Sequence, residues 1–352
     1  MSKNISLAAV NINADVWRNV NLAVAEGRIG QGRFIPAFEE AFAKQVGAKY
    51  AVFVGNGTVG DHIALAAVAD KGEVIMPALT FVAQPQAALA AGFTPVFVDV
   101  NQYGLIDPER VEAAITGNTA AIMPTHLMGR AVDMDAIMAI AKKHNLPVVE
   151  DACEALGTLW DKKVVGTIGD AGVYSFYASH HITTGEGGMV VTSSKQVYEK
   201  LMNLRQFGRK SAEYRDTFVF DDMNGTNAKG SNIEAGIGLA VVNTISTVRT
   251  VRRKNAQKLN ELLDGQWFVD SEKEHISPHG YPIRCEDEKT RNRALNSLKK
   301  AGIEARRYMG CFNPESTNAK FFADNWLFVP CHEYLTDEDI NYLAKHLKKY
   351  AA

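Results

Sequence analysis

Cysteine is scarce in this chain of 352 residues, which contains only four. Cys153, Cys285, Cys311 and Cys331 are widely spaced, and no two of them form a C-x-x-C pair. A disulfide framework or a zinc ribbon needs clustered cysteines at regular spacings, so both are disfavoured. The thiols are therefore expected to be reduced, and no metal centre is predicted.

An excess of charge of one sign is also missing. The chain carries 38 Lys and Arg against 40 Asp and Glu, which leaves a formal net charge of -2. Because no positive surplus is available to neutralise phosphate groups, neither nucleic acid nor an anionic membrane is expected as a partner. The sequence has no basic segment followed by an apolar one at its start, and no run approaches the roughly 20 apolar residues that span a bilayer. The expected location is cytoplasmic.

Short apolar runs, rich in β-branched residues, recur between residues 51 and 193. They read AVFVG, EVIMPAL, TPVFVDV, AAIMPTHL, LPVVED, AGVYSF and GMVVTS. Such near-continuous runs are typical of strands buried on both faces of a mainly parallel sheet. Intervening segments such as VGDHIALAAVADKG and DMDAIMAIAKKHN place apolar residues three and four apart, which predicts the crossover helices that parallel strands need. The sequence therefore predicts an α/β fold with a seven-stranded, mainly parallel sheet.

A smaller α+β domain is predicted at the carboxyl end. The segment from Ser231 to Leu263 has the apolar spacing of one long helix or of two joined helices. The elements predicted after it are a strand around Tyr281 to Arg284, a helix from about Lys289 to Ala301 and a final helix from Thr336 to about Tyr350. We therefore expect a large domain over residues 1–240 and a small one over residues 241–352.

Several polar positions at predicted strand ends could carry chemistry. Gly57 and Thr58 follow the first strand and open a helix, where free N–H groups and the helix dipole favour a phosphate; the alternative is an ordinary turn with Thr58 as the N-cap. Asp151 ends LPVVED, and a buried carboxylate there needs a partner such as a protonated pyridine nitrogen; the alternative is a cap for a helix over ACEALG. Glu154, three residues further on, could approach the same site.

Two adjacent histidines, His180 and His181, precede a glycine-rich turn in YSFYASHHITTGEGGMVVT. Histidine is suited to carrying protons near neutral pH, although a histidine pair is often incidental. Neighbouring side chains on an extended strand point to opposite faces, so at most one of the pair is expected to face a site. Metal ligation by both is disfavoured, and His126 has no local partner at ligand spacing.

Six motifs in a fixed order resemble the DegT/DnrJ/EryC1/StrS family of sugar-nucleotide aminotransferases. They are GNGT, PALTFVAQPQAALAAGFTPVFVDV, HLMGRAVDMDAI, VVEDACEALGT, SFYASHHITTGEGG and GTNAKGSNIEAGIG, and the resemblance covers residues 30 to 255. It implies the aspartate-aminotransferase-like fold (fold type I of pyridoxal-phosphate-dependent transferases). It also implies a pyridoxal or pyridoxamine 5'-phosphate cofactor and a homodimer with a shared active site.

The resemblance assigns cofactor contacts to matching positions of this chain. The implied contacts are Gly57, Thr58 and Ser175 with the phosphate, Phe81 with the face of the ring, Asp151 with the pyridine nitrogen and Glu154 with the region of the ring hydroxyl. In the family an asparagine of one subunit reaches into the site of the other, and Asn227 matches it. Phe218 and Phe220, in the long polar loop, could add an aromatic contact to the neighbouring subunit or could simply pack at the interface.

Arg306, in GIEARRY, matches an arginine of the family's dehydratases. A guanidinium suits planar carboxylate and phosphate groups, so Arg306 is the candidate for binding the substrate or the carboxylate of glutamate. The alternative is a solvated charge at a strand edge, since exposed arginine is common.

His180 marks a departure from the family pattern. Ordinary members read like SFHPRKNLTTGEGG, with a lysine that binds the cofactor covalently, and counting back from Gly185–Gly188 puts His180 at the position of that lysine. An imidazole cannot form the Schiff base, but it can act as a base over the cofactor. This replacement resembles the sugar 3-dehydratases of the family, which use pyridoxamine phosphate.

The resemblance to those dehydratases implies a reaction. Pyridoxamine phosphate condenses with the 4-keto group of a nucleotide-linked 4-keto-6-deoxy sugar, His180 removes a proton and returns it as the C3 hydroxyl leaves, and glutamate regenerates the cofactor. A nucleotide-sugar aminotransferase and a non-catalytic cofactor-binding protein are the alternatives. A dehydratase that depends on a [2Fe–2S] cluster is disfavoured, because such a cluster needs about four thiolates close together.

Overall fold

The structure is a computed structural model of the chain. It describes residues 3–10, 12–209, 224–265, 267 and 270–351. Phe218 and Phe220 lie outside the described residues.

The described residues form fifteen strands and twelve α-helices. The strands are β1 (Tyr50–Val54), β2 (Glu73–Pro77), β3 (Leu79–Thr80), β4 (Thr94–Val98), β5 (Thr119–Ile122), β6 (Val149–Asp151), β7 (Leu159–Trp160), β8 (Lys163–Val164), β9 (Ala171–Ser175), β10 (Gly188–Thr192), β11 (Glu274–His275), β12 (Tyr281–Arg284), β13 (Arg306–Arg307), β14 (Gly310–Cys311) and β15 (Trp326–Val329). The helices are α1 (Ala14–Ala25), α2 (Phe34–Val46), α3 (Gly57–Val68), α4 (Ala83–Ala90), α5 (Pro108–Ala113), α6 (Met134–His144), α7 (Lys195–Leu204), α8 (Asn232–Val241), α9 (Ile245–Leu263), α10 (Glu288–Lys300), α11 (Thr317–Asn325) and α12 (Asp337–Leu347).

The seven apolar runs form the seven strands of the central sheet, as predicted. β1, β10, β9 and β6 pair side by side, and so do β4, β2 and β5. A parallel bridge between Ile122 and Val148 joins the two groups, which gives the order β1-β10-β9-β6-β5-β2-β4. The sheet is mainly parallel because only β10 runs against its neighbours β1 and β9.

Aromatic packing fixes α2 against this sheet. Phe38 and Phe42 of α2 are fully buried, and the Phe38 ring lies 5.3 Å from Phe53 of β1 and 5.3 Å from Phe176, just after β9. Each buried aromatic side chain contributes roughly 1.5–3 kcal/mol through the hydrophobic effect. The strand ends that carry the functional residues are therefore held in a rigid frame.

The carboxyl-terminal elements match their predicted positions. The segment Ser231–Leu263 forms two joined helices, α8 and α9, with a short 3-10 turn between them. The strand β12 and the helices α10 and α12 lie within a few residues of the predicted bounds, and β12, β15 and β13 form an antiparallel sheet. Ile5 forms a parallel bridge with Ile303. The division into domains at residue 240 remains a prediction.

The described helices include none with an apolar stretch long enough to cross a bilayer.

Candidate active site

A large cavity lies at the carboxyl ends of the sheet strands, where open α/β sheets bind their ligands. Its volume of about 750 Å³ is within the usual range for small-molecule sites. The lining residues include ones at the ends of β6 and β9, in the first turns of α3, at the start of α4, in the segment 306–328 and at His279. The predicted site residues that line it are Gly57, Thr58, Phe81, Asp151, Glu154, Ser175, His180 and Arg306.

The first turn of α3 forms one end of the cavity. Asn56 is the N-cap of this helix, because its side chain accepts a hydrogen bond from the Val59 N–H at 2.8 Å. The alternative in which Thr58 is the cap is therefore wrong: Thr58 is already inside the helix. A Cβ at Gly57 would lie 2.9 Å from Cys153 Sγ and 3.1 Å from Ser175 Cβ, so only glycine leaves this wall in place. A helix N-terminus with close backbone approach fits a phosphate group.

Two buried carboxyl groups form the adjacent wall. Asp151, at the end of β6, accepts a hydrogen bond from the Cys153 N–H at 3.1 Å, and Asp61 of α3 lines the same wall. Residues 152–157 form turns, so the alternative in which Asp151 caps a helix over ACEALG is wrong. Burial raises the pKa of Asp151, and burial together with the charge of Asp151 raises the pKa of Asp61 well above its usual value. This wall suits a ligand group that brings its own positive charge, such as a protonated ring nitrogen.

His180 lies in the turn that follows β9 and also lines the cavity. Its Nδ1 is 2.6 Å from the carbonyl oxygen of Cys153. Since a carbonyl only accepts, Nδ1 carries the hydrogen and Nε2 holds the free lone pair. Burial lowers the pKa of His180 to about 4, and the charge of Arg252 acts in the same direction, against the hydrogen bond to Cys153. The imidazole is thus a neutral base at neutral pH.

His181 is buried and is not among the residues that line the cavity. Its Nε2 lies 3.0 Å from the carbonyl oxygen of Ser277. Of the two adjacent histidines, only His180 lines the cavity. The prediction assumed an extended strand, whereas residues 176–187 form turns and bends.

Glu154 is held as a neutral acid. One of its carboxyl oxygens accepts a hydrogen bond from the Met128 N–H at 2.9 Å. Burial raises the pKa of Glu154 to about 8, and the charge of Asp151 adds to the rise, while the bond from Met128 opposes it. His180 and Glu154 therefore have their proton affinities shifted in opposite directions within one cavity.

His279 is a site residue that sequence reasoning missed. Its ring lies 4.9 Å from the ring of His180, and its Nε2 is 3.9 Å from a Glu154 carboxyl oxygen. Its motif, SPHGYPIR, is 99 positions beyond His180, and nothing in its local pattern indicates that the chain returns to the cavity there.

Four buried polar atoms of lining residues have no hydrogen-bond partner within the described structure. They are Asp61 Oδ1, Gln84 Oε1, His279 Nδ1 and the Tyr308 hydroxyl. An unpaired buried polar atom costs about 1–3 kcal/mol, so these four atoms destabilise the folded chain around the cavity. Asp61, Gln84 and Tyr308 were also missed from the sequence. For Asp61 a signal was available, because it is an aspartate in the mainly apolar stretch after GNGT.

Arg306 and Asn227 occupy different surroundings. Arg306, on β13 at the mouth of the cavity, is 54% exposed at its side chain and pairs with Glu304 at 3.2 Å, so both of its sequence interpretations stay open. Asn227 is exposed, forms a backbone bridge with Gln206 and is not among the residues that line this cavity.

The described part of the cavity has a single lysine and no cluster of side chains arranged to hold a metal ion. Lys320 is the sole lysine among the described lining residues, and its amine pairs with Asp324 at 2.7 Å. No group of three or more metal-ligating side chains was found within the described ranges, and all four cysteines are free. His126 pairs instead with the buried Glu150 at 2.9 Å.

Comparisons with known proteins place this chain in one family. A model of the DegT/DnrJ/EryC1/StrS aminotransferase family matches residues 10–348. GDP-perosamine synthase from Caulobacter vibrioides is 35% identical over 336 residues, which cover 88% of this chain and 88% of that protein.

Solved structures of a 3-dehydratase have the same fold. The E. coli GDP-4-keto-6-deoxy-D-mannose-3-dehydratase with bound hydrated pyridoxal phosphate superposes with a TM-score of 0.89 at 26% identity and covers 99% of this chain and 100% of that one. A second structure of a GDP-4-keto-6-deoxymannose-3-dehydratase, with a trapped adduct of pyridoxal phosphate and glutamate, superposes with a TM-score of 0.87 at 26% identity, over 98% of this chain and 100% of that one. The predicted family and fold type are thereby confirmed.

Proposed function

Because this chain belongs to the DegT/DnrJ/EryC1/StrS aminotransferase family, we propose that it is a pyridoxamine-phosphate-dependent 3-dehydratase. Its substrate is a nucleotide-linked 4-keto-6-deoxy sugar, which loses the C3 hydroxyl group. Glutamate returns the cofactor to its amine form, as the adduct seen in the related 3-dehydratase suggests.

The observation that carries this proposal is the environment of His180. A neutral imidazole with a free Nε2 lines the cavity where the family's lysine is expected, and the sole lysine among the described lining residues is engaged at the mouth. Without a lysine the cofactor is held by non-covalent contacts alone. A free imidazole in the position of the lysine can remove a proton, but it cannot bind the cofactor covalently.

The residues present fit pyridoxal or pyridoxamine phosphate. Gly57, Thr58 and Ser175 would hold its phosphate, Phe81 would cover its ring and Asp151 would pair with its ring nitrogen. When bound, this cofactor supplies an electron sink that stabilises negative charge developing on an attached substrate. The acidic wall that contains Asp151 favours the protonated ring nitrogen on which that sink depends.

His180 acts as the base of the site. Nε2 takes a proton from a carbon of the bound ligand, while Nδ1 keeps its hydrogen bond to the Cys153 carbonyl and holds the ring in one orientation. Because burial depresses the proton affinity of this imidazole, the base is unprotonated and ready at neutral pH. The chain thus provides a base in a fixed tautomer.

Substrate binding is assigned to the mouth of the cavity. Arg306 and Arg307 are exposed there and face the same opening, so their guanidinium groups can bind a phosphate of the nucleotide or the carboxylate of glutamate.

The working unit is a homodimer with a shared active site. Large apolar side chains are exposed on α1 and near the cavity mouth, among them Trp17, Phe81 and Leu89, with 60%, 60% and 55% of their surface accessible. Exposed apolar side chains are found at protein interfaces, and these three support the homodimer that the family resemblance implies. In the dimer Asn227 of one subunit serves the cavity of the other.

A sugar aminotransferase is the second candidate, and likeness in sequence to GDP-perosamine synthase favours it. Such an enzyme leaves nitrogen on the sugar and oxygen at C3. Ordinary members of the family use a lysine that binds the cofactor covalently, and His180 cannot take that role.

Mass spectrometry of the reaction products tests the proposal. The protein is incubated with pyridoxamine phosphate, glutamate and a panel of nucleotide-linked 4-keto-6-deoxy sugars, in parallel with His180→Asn. A product that lacks the C3 oxygen, formed by the native protein and not by the variant, supports the dehydratase. An amino sugar that keeps that oxygen supports the aminotransferase, and turnover that is unchanged in His180→Asn contradicts the role of His180.

A further inference from the structure

A buried arginine outside the cavity holds the backbone of the proposed base. We propose that Arg252 is a positioning residue, which fixes His180 by a hydrogen bond to its carbonyl oxygen and ties that turn to the sheet that carries Arg306. This inference rests on the proposed function, because it takes His180 as the base. Arg252 is not among the residues that line the cavity, so it acts through His180 and not on the substrate.

All three nitrogen atoms of the Arg252 side chain donate hydrogen bonds. Nη2 donates to the His180 carbonyl at 3.2 Å, and Nη1 donates to the carbonyls of Pro278 at 3.3 Å and His279 at 2.9 Å. Nε donates to a Glu333 carboxyl oxygen at 2.9 Å. Arg252 is only 2% exposed, and hydrogen bonds from a charged donor are roughly twice as strong as those between neutral groups. The guanidinium therefore joins three separate segments of the chain.

His180 is held at three of its atoms. Its N–H donates to the Tyr177 carbonyl at 2.9 Å, its Nδ1 donates to the Cys153 carbonyl at 2.6 Å, and its carbonyl accepts from Arg252. The first contact lies within the turn itself, and the second orients the ring. The third links this backbone to α9. Without it the turn could shift relative to α9, and the imidazole would shift with the turn.

The other end of the network reaches the sheet at the mouth of the cavity. Arg306 of β13 pairs with Phe328 of β15, and both residues line the cavity. Glu333 follows β15 and accepts from Arg252. Asn255, three residues further along α9, donates to the carbonyl just before Glu333 at 2.9 Å. Two side chains of α9 therefore hold the segment after β15, and the base is connected to the cavity mouth through this helix.

The shape of the guanidinium is what the four contacts need. Its donors are spread over three nitrogen atoms in a rigid plane, so one side chain can reach a carboxylate and several carbonyls at once. A lysine carries its three donors on a single nitrogen atom and cannot make four contacts in different directions. Arg252→Lys therefore keeps the positive charge and loses part of the network, whereas Arg252→Gln loses both.

The positive charge of Arg252 also acts on His180. Burial lowers the pKa of His180 most, the hydrogen bond to the Cys153 carbonyl opposes that fall, and the charge of Arg252 adds to it. The rings that face the imidazole are those of His279, 4.9 Å away, and Tyr177, 6.3 Å away. Arg252→Gln removes a positive charge and should raise the pKa of His180, whereas Arg252→Lys should leave it near its native value.

Hydrogen exchange at the cofactor tests the positioning without the sugar. Pyridoxamine phosphate is bound to the protein in deuterated water, and exchange of its 4'-hydrogen, which depends on the base, is followed by NMR. Arg252→Gln and Arg252→Lys are both expected to slow this exchange by up to about 100-fold, because displacement of a reacting group by roughly 1 Å has an effect of that size. Affinity for pyridoxamine phosphate should stay native, since Arg252 does not line the cavity.

Turnover and a matched control separate positioning from general stability. The kcat for loss of the C3 oxygen is expected to fall with the exchange rate in both Arg252 variants, while KM for the sugar stays native. Arg253→Gln is the control, because Arg253 is the next residue of α9, pairs with Asp270 and donates to the Ile276 carbonyl at 3.2 Å. Arg253 does not line the cavity, so its variant should keep native rates.

Nitrogen NMR of histidine-labelled protein gives a measurement that does not depend on turnover. The His180 signals are assigned by comparison with His180→Asn, in protein without cofactor. The pKa of His180, about 4 in the native protein, is expected to rise toward 6.5 in Arg252→Gln and to stay near its native value in Arg252→Lys and Arg253→Gln. His180 signals and a pKa that are the same in native protein and Arg252→Gln overturn the inference.

The remaining outcomes separate this inference from the proposed function. Native exchange in Arg252→Gln, or an equal loss in Arg253→Gln, overturns the inference and leaves the dehydratase intact. If native protein exchanges hydrogen but removes no oxygen, the dehydratase fails and exchange alone decides the role of Arg252. If it does neither, both fail, because His180 is then not the base. If Arg252→Gln does not fold with Glu333 left unpaired, the double variant Arg252→Gln/Glu333→Gln removes both charges and carries the same predictions.

Discussion

The Nδ1 atom of His180 lies 2.6 Å from the carbonyl oxygen of Cys153. This contact joins the turn after β9 to the turn after β6, and it leaves Nε2 as the only basic nitrogen of the ring. Asp151 lies two residues before Cys153, so the same short segment carries the proposed ring-nitrogen partner and orients the proposed base. One hydrogen bond therefore links the proposed base to the segment that carries the proposed partner of the ring nitrogen.

The low proton affinity of His180 predicts activity that persists into mild acid. Its pKa of about 4, against an ordinary value of 6.5, keeps the base free where an ordinary histidine would be protonated. Protonation of His180 is therefore not expected to lower kcat/KM of the native protein near pH 6.5. Initial rates across a pH series check this, and proton NMR of His180 in native protein separates its titration from that of the phosphate. A His180 midpoint near 6.5 in those spectra contradicts the assignment.

Glu154 is expected to make the protein less stable as pH rises. Its pKa is about 8 in the folded chain and near 4.5 when unfolded, so the folded state holds a proton that the unfolded state has already released between these values. Stability from this group is therefore largest below about pH 4.5 and falls, by up to roughly 1.4 kcal/mol per pH unit, until the folded carboxyl ionises. Glu154→Gln removes this dependence.

Denaturant unfolding of native protein and Glu154→Gln, over a pH series without cofactor, measures that difference. The free energy of unfolding of the variant is expected to rise steadily relative to that of the native protein between about pH 5 and about pH 8. Other titrating groups cancel in this comparison. A constant difference across the series would mean that Glu154 is already ionised in the folded chain.

Gly57→Ala is expected to weaken cofactor binding. Its Cβ would lie within 2.9 Å of Cys153 Sγ and 3.1 Å of Ser175 Cβ, so the first turn of α3 or the facing residues must move. A shift at a phosphate-binding helix terminus lowers affinity by about tenfold or more, since each lost hydrogen bond to a charged group is worth roughly 1.5–3 kcal/mol. Titration with pyridoxal phosphate, followed by absorbance, measures this. Gly117→Ala, where nothing lies within 4 Å, is the control and should bind as the native protein does.

Mixed dimers test whether Asn227 acts across the subunit interface. His180→Asn and Asn227→Ala are each expected to be inactive or nearly so as pure dimers. If Asn227 serves the partner's cavity, a mixed dimer has one cavity with both changes and one with neither, so mixing restores activity toward one native site per dimer. If Asn227 acts within its own subunit, every cavity carries one change and mixing restores nothing.

The sequence predicts the sheet well because its signal is local. Each apolar run in the segment 51–193 is long and β-branched enough to form a buried strand, and each became one. The reversed direction of β10 could not be read in the same way, because apolar runs look alike in both directions. The connection from β9 to β10, residues 176–187, forms turns and bends and contains no crossover helix, so β10 pairs antiparallel with its neighbours.

The site was predictable only where a motif carried it. Asp151, Glu154 and His180 lie in ordered motifs close to strand ends, and the structure brings them to one cavity. His279 reaches the same cavity from a distant part of the chain, through packing that no short window records. Its proximity to His180 and Glu154 becomes visible only in the folded structure.

The fate of the cofactor nitrogen tests the central claim most directly. The protein is loaded with ¹⁵N-labelled pyridoxamine phosphate and given one equivalent of nucleotide-linked 4-keto-6-deoxy sugar without glutamate, and the nitrogen is followed by NMR and mass spectrometry. A 3-dehydratase releases the label as ammonium and leaves a sugar without nitrogen and without the C3 oxygen. Label that remains on the sugar as an amino group, with the C3 oxygen retained, would contradict the account and identify an aminotransferase.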